Sequence, residues 1–407
     1  MAESKYPMIP VEEAQRRILD RIRPLEPATM RFDEALGFVL AEDIHAAENM
    51  PPFAAAAKDG FAVVASDTSR VRRLVGEQMA GTVSGPRVEP GTVVRITTGA
   101  PIPPGADAVV MVERTEEQNG RVIIHQETIE PGADIRPPGQ DIQKGQLVLK
   151  QGTRLGPAEI GLLATIGCTS VKVYRRPTVA VLSTGDELVE PDESPGPGQI
   201  RDSNRYTLAA AVAEAGGIPL ILGLSRDVET TLEELMLQGL EQADALLTSG
   251  GVSMGDKDLV KPILERLGTV HFGRVYTKPG KPVTFATVNG KPVFAMPGFP
   301  VSSLVSFEIF VRPALRRMQG YPERDLFRPE RKVILEHDVH HTADRTEFQR
   351  AIVTYRDGQF YARTTGFQGS GRLLSMVGAN ALLRLPHGEG NFKRGDLVSA
   401  LVIGDIF

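Results

Sequence analysis

The chain has 407 residues, of which 41% are hydrophobic and 24% charged, an ordinary globular composition that excludes a disordered or fibrous protein and, at roughly 100–200 residues per domain, predicts several units. The net charge of −5 weighs against nucleic acid, since the dense basic clusters, Arg70 to Arg73 and Arg312 to Arg317, lack interleaved aromatics and read as solvated faces. Cys168 is the one cysteine and no apolar run approaches the length of a membrane span, so the reading is a chain with no disulfide, no Cys-rich zinc site, no membrane anchor and a reducing, cytoplasmic setting.

Residues 10–23 place Val11, Ala14, Ile18, Leu19 and Ile22 at helical spacing, which predicts an amphipathic helix. From about 46 to 140 the text is Gly, Pro and short β-rich runs such as GTVVRITTG, DAVVMVE and RVIIHQ. A second helix is expected from Pro157 to Ile166, with Ile160, Leu163 and Ala164 buried and Gly167 as its stop. Cys168, after an apolar stretch, is expected to be a small buried hydrophobe. The economical reading is a β domain inserted into a helical one: 1–45 with 141–176, interrupted by 46–140.

Between 177 and 322 strands and helices alternate, the pattern of a mostly parallel sheet. Strands are expected at 178–183, 219–223 and 245–248, and helices at 204–215, 229–242, 259–267 and 300–318, with Asp202, Ser203 or Asn204 capping the first. Asn289-Gly290 predicts a type I′ hairpin turn. From 323 to 407 the chain returns to β signals, with an Asp357-Gly358 turn, and forms a separate small domain. His340 and His341 are adjacent in a charged stretch, so they are expected to point apart and to be exposed.

Three glycine-punctuated loops follow apolar runs: VAVLSTGDEL at 179–188, ALLTSGGVSMGDKD at 245–258 and VFAMPGFPVSS at 293–303. Loops beyond the carboxyl ends of parallel strands gather into one ligand-binding crevice. They carry Asp186, Glu187, Asp256 and Asp258, whose carboxylates suit a hard cation such as Mg²⁺ or serve as solvated loop acids, and Asp227 belongs to the same edge. Gly250 and Gly251 bare backbone N–H groups for an anion. Lys278 and Lys281 flank Pro279-Gly280, which favours an oxyanion beside the pocket.

Taken in order, PPFAAAAKDGFAV, RITTGAPIPPGADAVV, VLSTGDEL, DSNRY, TSGGVSMGDKD, KPGKP and MPGFPVSS resemble the molybdopterin molybdenumtransferase family, which includes bacterial MoeA and the E domain of gephyrin. The likeness spans the whole chain. It implies a cytoplasmic homodimer of four-part subunits ending in a β-barrel. The implied reaction takes adenylylated molybdopterin and molybdate, hydrolyses the adenylate with Mg²⁺ and releases AMP. It also implies contact with the adenylyltransferase acting upstream. Loop residues Ser183, Thr184, Gly185, Ser249, Gly250, Gly251, Ser253, Pro297 and Pro300 would hold the pterin and its phosphates.

By the same resemblance Glu187, Asp227 and Asp258 fall on acidic site positions, and Lys278, Lys281 and Ser302 on positions near the anion. Asp59 and Thr98 match positions that face the other subunit's pocket, and Arg350 with Ser370 resembles a molybdate-binding pair. The chain departs from the family pattern at Ala56, Phe61 and Phe299, each of which lacks a polar group common there. A cofactor-binding scaffold of the same fold, or an enzyme preferring tungstate, is the competing expectation.

Overall fold

Residues 5–83, 85–252 and 259–407 are described by the computed structural model. The first helix forms over Val11–Leu19 (α1), with Val11, Ala14 and Ile18 buried, Glu12 and Glu13 in its first turn and Arg16 and Arg17 in its last, a charge order that suits the helix dipole. Contacts divide the chain into two units, residues 1–29, 37–41 and 172–407, and residues 30–36 and 42–171. Helix α1 belongs to the first, where its apolar stripe joins Val179, Val181, Phe307 and Leu315 in one core.

In the second unit the β-rich segment builds a six-stranded sheet from Gly60–Val63 (β1), Val71–Gln78 (β2), Thr92–Ile96 (β3), Ala108–Met111 (β4), Thr115–Gln118 (β5) and Arg121–Ile124 (β6), in the order β4-β1-β3-β2-β6-β5. Side chains alternate across it: Ala62, Val94, Ile96 and Val109 fill one core, and Phe61, Val63, Val93, Ala108 and Val110 another. Both faces are therefore covered. The Arg70 to Arg73 cluster is not the solvated face expected, because Arg72 is only 2% exposed. Its guanidinium donates to Ser69 O and Val64 O and pairs with Asp67 at 3.2 Å, so its several donors are met inside the fold. Pro157–Thr165 (α2) starts on its proline as expected, with Gly167 at φ 70° beyond its end. Leu163 and Ile166 are buried, whereas Ala164 is exposed. Cys168 is half-buried, its thiol donating to Ser170 O at 3.4 Å, and burial pushes its pKa up.

The first unit alternates Thr178–Thr184 (β7), Asn204–Glu214 (α3), Ile218–Ser225 (β8), Glu229–Gln242 (α4), Ala245–Ser249 (β9) and Val260–Leu267 (α5), then Thr269–Phe272 (β10), Thr284–Val288 (β11) and Lys291–Met296 (β12). The sheet order is β8-β7-β9-β12-β11-β10. Strands β8, β7, β9 and β12 are parallel, while β11 and β10 run antiparallel at one edge. The chain passes from β7 to β8 on one side and then across to β9 on the other. The strand order thus reverses at β7/β9, the place where open α/β sheets bind ligands. The Asn289-Gly290 turn has φ of 51° and 77°, as the hairpin between β11 and β12 requires.

The helix expected at 300–318 is not continuous. Pro300–Ser306 (α6) and Arg312–Met318 (α7) are separated by a π-helical turn over Phe307–Val311. Pro313 has no N–H to bond Ile309 O, and Gln15 Nε2 donates to that carbonyl instead at 3.2 Å. Arg312 is buried rather than solvated, and burial with neighbouring Arg328 and Arg316 pushes its pKa down to about 10.

After Glu330–Leu335 (β13), strands Thr346–Arg356 (β14), Gln359–Thr364 (β15), Ala381–Leu385 (β16) and Leu397–Val402 (β17) pair in the cycle β14-β15-β13-β17-β16 and back to β14. This closes a five-stranded barrel and leaves no free edge. Val333, Val353, Ala362, Leu383 and Val398 pack in its interior.

Candidate functional site

The lysine segment is built into the barrel rather than lying free on a loop. Residues Thr277–Lys278 pair in parallel with the start of β14, setting Lys278 opposite Glu347. The Lys278 ammonium lies 3.1 Å from Glu347 Oε1. Beside this pair opens a cleft of about 700 Å³ whose lining includes Lys278, Lys281, Ser302, Arg345, Arg350 and Ser370. The five residues expected near an anion therefore meet in one place.

Arg350 is 1% exposed. It donates through Nε to Ser375 Oγ at 3.1 Å and through Nη2 to Gly369 O at 3.3 Å, and among the described residues it forms no ion pair. Burial pushes its pKa down to about 10, which leaves it charged at neutral pH. A buried cation held only by neutral acceptors costs stability, and an anionic ligand offsets that cost. Lys281 is half-buried and likewise has no ion pair among the described residues.

His341 is not exposed as expected. It is 3% exposed, with Nδ1 2.9 Å from Glu347 Oε2 and Nε2 3.0 Å from Pro386 O. A charged stretch hid it because its partners lie 6 and 45 residues away; His340 is exposed as predicted.

Phe299 precedes α6 and is 63% exposed. It has no side-chain oxygen to cap the helix; instead Ser370 O accepts the N–H of Val301 at 3.0 Å. The loop that carries Ser370 thus satisfies the first turn of the helix that carries Ser302.

At the carboxyl edge of the sheet the loops converge as expected. Gly185 N–H bonds Ser225 O at 3.2 Å and Gly250 N–H bonds Met296 O at 3.3 Å. A Cβ on Gly250, which has φ 95°, would stand 2.4 Å from Thr184 O, so only glycine fits there. Asn204 Nδ2 donates to Ser249 Oγ and to Gly298 O, both at 2.7 Å, tying the loops after β9 and β12 together. The Thr184 hydroxyl donates to Asp227 Oδ1 at 2.9 Å, and Asp227 N–H to Asp186 Oδ1 at 3.2 Å. Asp186 and Glu187 are exposed and Asp227 half-buried. Ser183 differs from expectation: it is buried and its hydroxyl donates to Asp202 Oδ1 at 3.1 Å.

The cleft's lining includes neither the 183–187 loop nor Ser249, Gly250 and Gly251. The single pocket expected from the sequence is thus two features of one unit, with Ser302 of α6 lining the cleft and Gly298, in the loop just before that helix, bonded by Asn204. Ser253, Asp256 and Asp258 lie outside the described residues. Among the described residues no three His, Cys, Asp or Glu side chains stand as a metal-holding group.

In the other unit Asp59 Oδ1 accepts both the N–H of Thr98 at 2.6 Å and its hydroxyl at 2.8 Å. These two bonds hold the exposed Asp59 carboxyl below its ordinary pKa. Ala56 and Phe61 are buried in the same unit, with the Arg95 guanidinium 5.3 Å from the Phe61 ring.

Comparison with known proteins gives three family matches: "MoeA N-terminal region (domain I and II)" over residues 9–167, "Probable molybdopterin binding domain" over 180–317 and "MoeA C-terminal region (domain IV)" over 332–403. A molybdopterin molybdenumtransferase of Haemophilus influenzae is 35% identical, the match covering 96% of this chain and 98% of that protein. The chain belongs to the molybdopterin molybdenumtransferase family. A Bacillus subtilis molybdopterin molybdenumtransferase is 36% identical over 99% of this chain and 96% of its own length. Gephyrin of Dictyostelium discoideum is 38% identical over 99% of this chain, which spans 63% of that longer protein. A crystal structure of a molybdopterin biosynthesis MoeA protein from Pyrococcus horikoshii superposes with TM-score 0.83 at 30% identity, covering 97% of this chain and all of that one.

Sequence reasoning about this transferase-family chain missed Glu347 and His341 beside Lys278, and Gln368 and Ser375, which accept the Arg350 backbone N–H at 2.9 Å and its Nε at 3.1 Å. The available signal was the run TEFQRA, whose six residues are all buried in β14. Glu, Gln and Arg inside a buried strand need partners, and that need marks a site.

Proposed function

We propose that the chain inserts molybdenum into adenylylated molybdopterin, cleaving the adenylate and releasing AMP. The observation that carries this reading is the cleft in which Lys278, Lys281 and Ser302 of the α/β region meet Arg350 and Ser370 of the barrel. Molybdate is a tetrahedral dianion, and charge-assisted bonds from a buried guanidinium and two ammonium groups are the strong way to hold it. The glycine-rich loops after β7 and β9, with Thr184 and Gly185, offer close backbone approach to the pterin phosphate.

The acidic edge fits Mg²⁺ by chemistry: Asp186, Glu187 and Asp227 are hard oxygen donors, and the Asp227 N–H bond to Asp186 keeps two of them adjacent. When bound, the ion neutralises charge on the phosphoryl group under attack. Asp227 would be oriented for that task by the Thr184 hydroxyl.

Asp59 and Thr98 act, in this reading, on the pocket of the other subunit of a homodimer in the cytoplasm. The four-part division at 1–45 with 141–176, 46–140, 177–322 and 323–407 belongs to the same reading, as does delivery of adenylylated molybdopterin by its adenylyltransferase. Mixing an Asp59→Ala chain with a Glu187→Ala chain tests the shared site, since one pocket of the mixed dimer carries both defects and the other none. Activity is expected to return in part; a verified mixed dimer with no recovery refutes it.

A scaffold reading drew on the polar groups missing at Ala56, Phe61 and Phe299. Two of the three are core residues, which weakens it. The deciding experiment adds molybdate to purified protein and adenylylated molybdopterin with Mg²⁺ and measures AMP. Molybdate-dependent release is expected, and its absence returns the chain to a binding or scaffold role. Competing tungstate in the same assay reads out the metal preference.

A further inference from the structure

We propose that His341 and Glu347 are a positioning pair that sets how much of the Lys278 charge is offered to an oxyanion in the cleft. This rests on the reading of the cleft as the molybdate site. Neither residue was among those expected to act; both are buried, Glu347 in β14, where a purely structural strand would carry an apolar side chain, and His341 in the segment before it.

The carboxylate of Glu347 is divided. Its Oε1 lies 3.1 Å from Lys278 Nζ and its Oε2 2.9 Å from His341 Nδ1. The other ring nitrogen, Nε2, faces Pro386 O at 3.0 Å. A carbonyl oxygen only accepts, and a carboxylate beside an ammonium group also accepts, so the network is complete when the ring donates from both nitrogens and carries a positive charge. The His341 backbone N–H donates to Asn391 Oδ1 at 2.8 Å, which fixes the residue's main chain, and the ring lies 6.1 Å from that of Phe392 between centroids. Two cations then share one carboxylate, and the trio presents a net positive charge to the cleft. Lys278 is the member of the trio that is partly exposed there.

Removing either partner of Glu347 or Glu347 itself therefore shifts anion binding in opposite directions. Without the histidine, the whole carboxylate is free to neutralise Lys278 and also faces the anion with its full charge. Without the carboxylate charge, Lys278 turns to the anion alone. A pair that served only to brace the fold would weaken binding whichever member was changed.

The experiment measures the dissociation constant of inorganic molybdate by equilibrium dialysis with metal analysis on the full chain. His341→Phe is expected to weaken binding about tenfold, the scale of one charge-assisted contact, and Glu347→Gln to tighten it about threefold. In the double variant the effect of His341→Phe is expected to shrink below about twofold, because the histidine acts through the carboxylate. In the AMP assay the molybdate half-saturation should move with these values while the rate at saturating molybdate stays. Should His341→Phe not fold, His341→Gln, which keeps one donor and carries no charge, is expected to weaken binding about threefold. Shifts in the same direction for both single variants, or an undiminished histidine effect in the double variant, overturn the pairing while leaving the cleft's assignment intact. Wild-type protein with no saturable molybdate binding, or binding that Arg350→Ala leaves unchanged, overturns the cleft's assignment and the inference with it.

Discussion

The cationic cleft and the acidic sheet edge hold their charges on opposite terms. In the cleft, Arg350 is 1% exposed and Glu347 4%, and each is fixed by side-chain or carbonyl partners from separate parts of the chain. At the edge, Asp186 and Glu187 are exposed, Asp227 N–H bonds Asp186 Oδ1 and the Thr184 hydroxyl bonds Asp227. Burying a charge is costly, so the fold carries the buried charges of the cleft at some expense, as the anion site proposed there requires. The edge incurs little such cost. In the proposed reading a metal and a phosphate complete it.

If that contrast is right, disabling the edge should affect chemistry and disabling the cleft should affect binding. The largest effect is expected from Glu187→Ala and Asp227→Ala, which should lower Mg²⁺-dependent AMP release by about 10²–10³-fold, the scale of losing one transition-state electrostatic contact. Molybdate affinity, measured alongside, should stay within about twofold; unchanged AMP release would break the contrast at once. Arg350→Met comes next. It should weaken molybdate binding by about a hundredfold, as for a desolvated charge contact, yet leave the Tm in calorimetry unchanged or higher, because a deeply buried charge is removed whose burial outweighs the attraction of Glu347. A lowered Tm with intact binding would make Arg350 a structural residue.

Lys281→Ala should cost only about fivefold in molybdate affinity, since the ammonium is half in solvent, and that loss should fade at high salt. A loss indifferent to salt would show that Lys281 is more enclosed in the bound state. The smallest effect concerns Asp59. Its carboxyl titrates below the ordinary value because Thr98 bonds it through N–H and hydroxyl. The pairing therefore adds stability above the unfolded-state pKa and loses it as pH falls through the lower folded value. Thr98→Val removes one donor and should move the Asp59 titration upward, as followed by carboxyl-carbon NMR; an unmoved titration would show that the backbone bond alone holds it.

Much of this was legible in the sequence because it is local. The short apolar runs GFAV and DAVVM, the strand-loop-helix pattern around TSGG and MPGF, the Asn289-Gly290 turn and the Pro157 helix start each declare themselves within a few residues. What escaped is long-range. Lys278 meets Glu347 across 69 residues of chain, so no window of sequence shows that Thr277–Lys278 pairs with a barrel strand. His341 looked exposed because its neighbours in sequence are charged, while its partners are a carboxylate and a carbonyl brought in by folding. The π turn before α7 needed Pro313, Ile309 and Gln15 to be read together. Arg72 misled for a different reason: its partners lie within eight residues, but most are backbone carbonyls, which composition does not display. The loop acids were found by pattern, but their connection through Thr184 to Asp227 required the parallel pairing of β7 with β8.

The most direct test of the division between cleft and edge is anomalous diffraction from crystals of the chain soaked in tungstate, which matches molybdate in shape and charge. The strongest peak is predicted inside the cleft, within hydrogen-bonding distance of Arg350 and Lys281 and next to Ser302 and Ser370. A well-occupied tungstate seated instead on the loops after β7 and β9, with the cleft empty, would contradict the account.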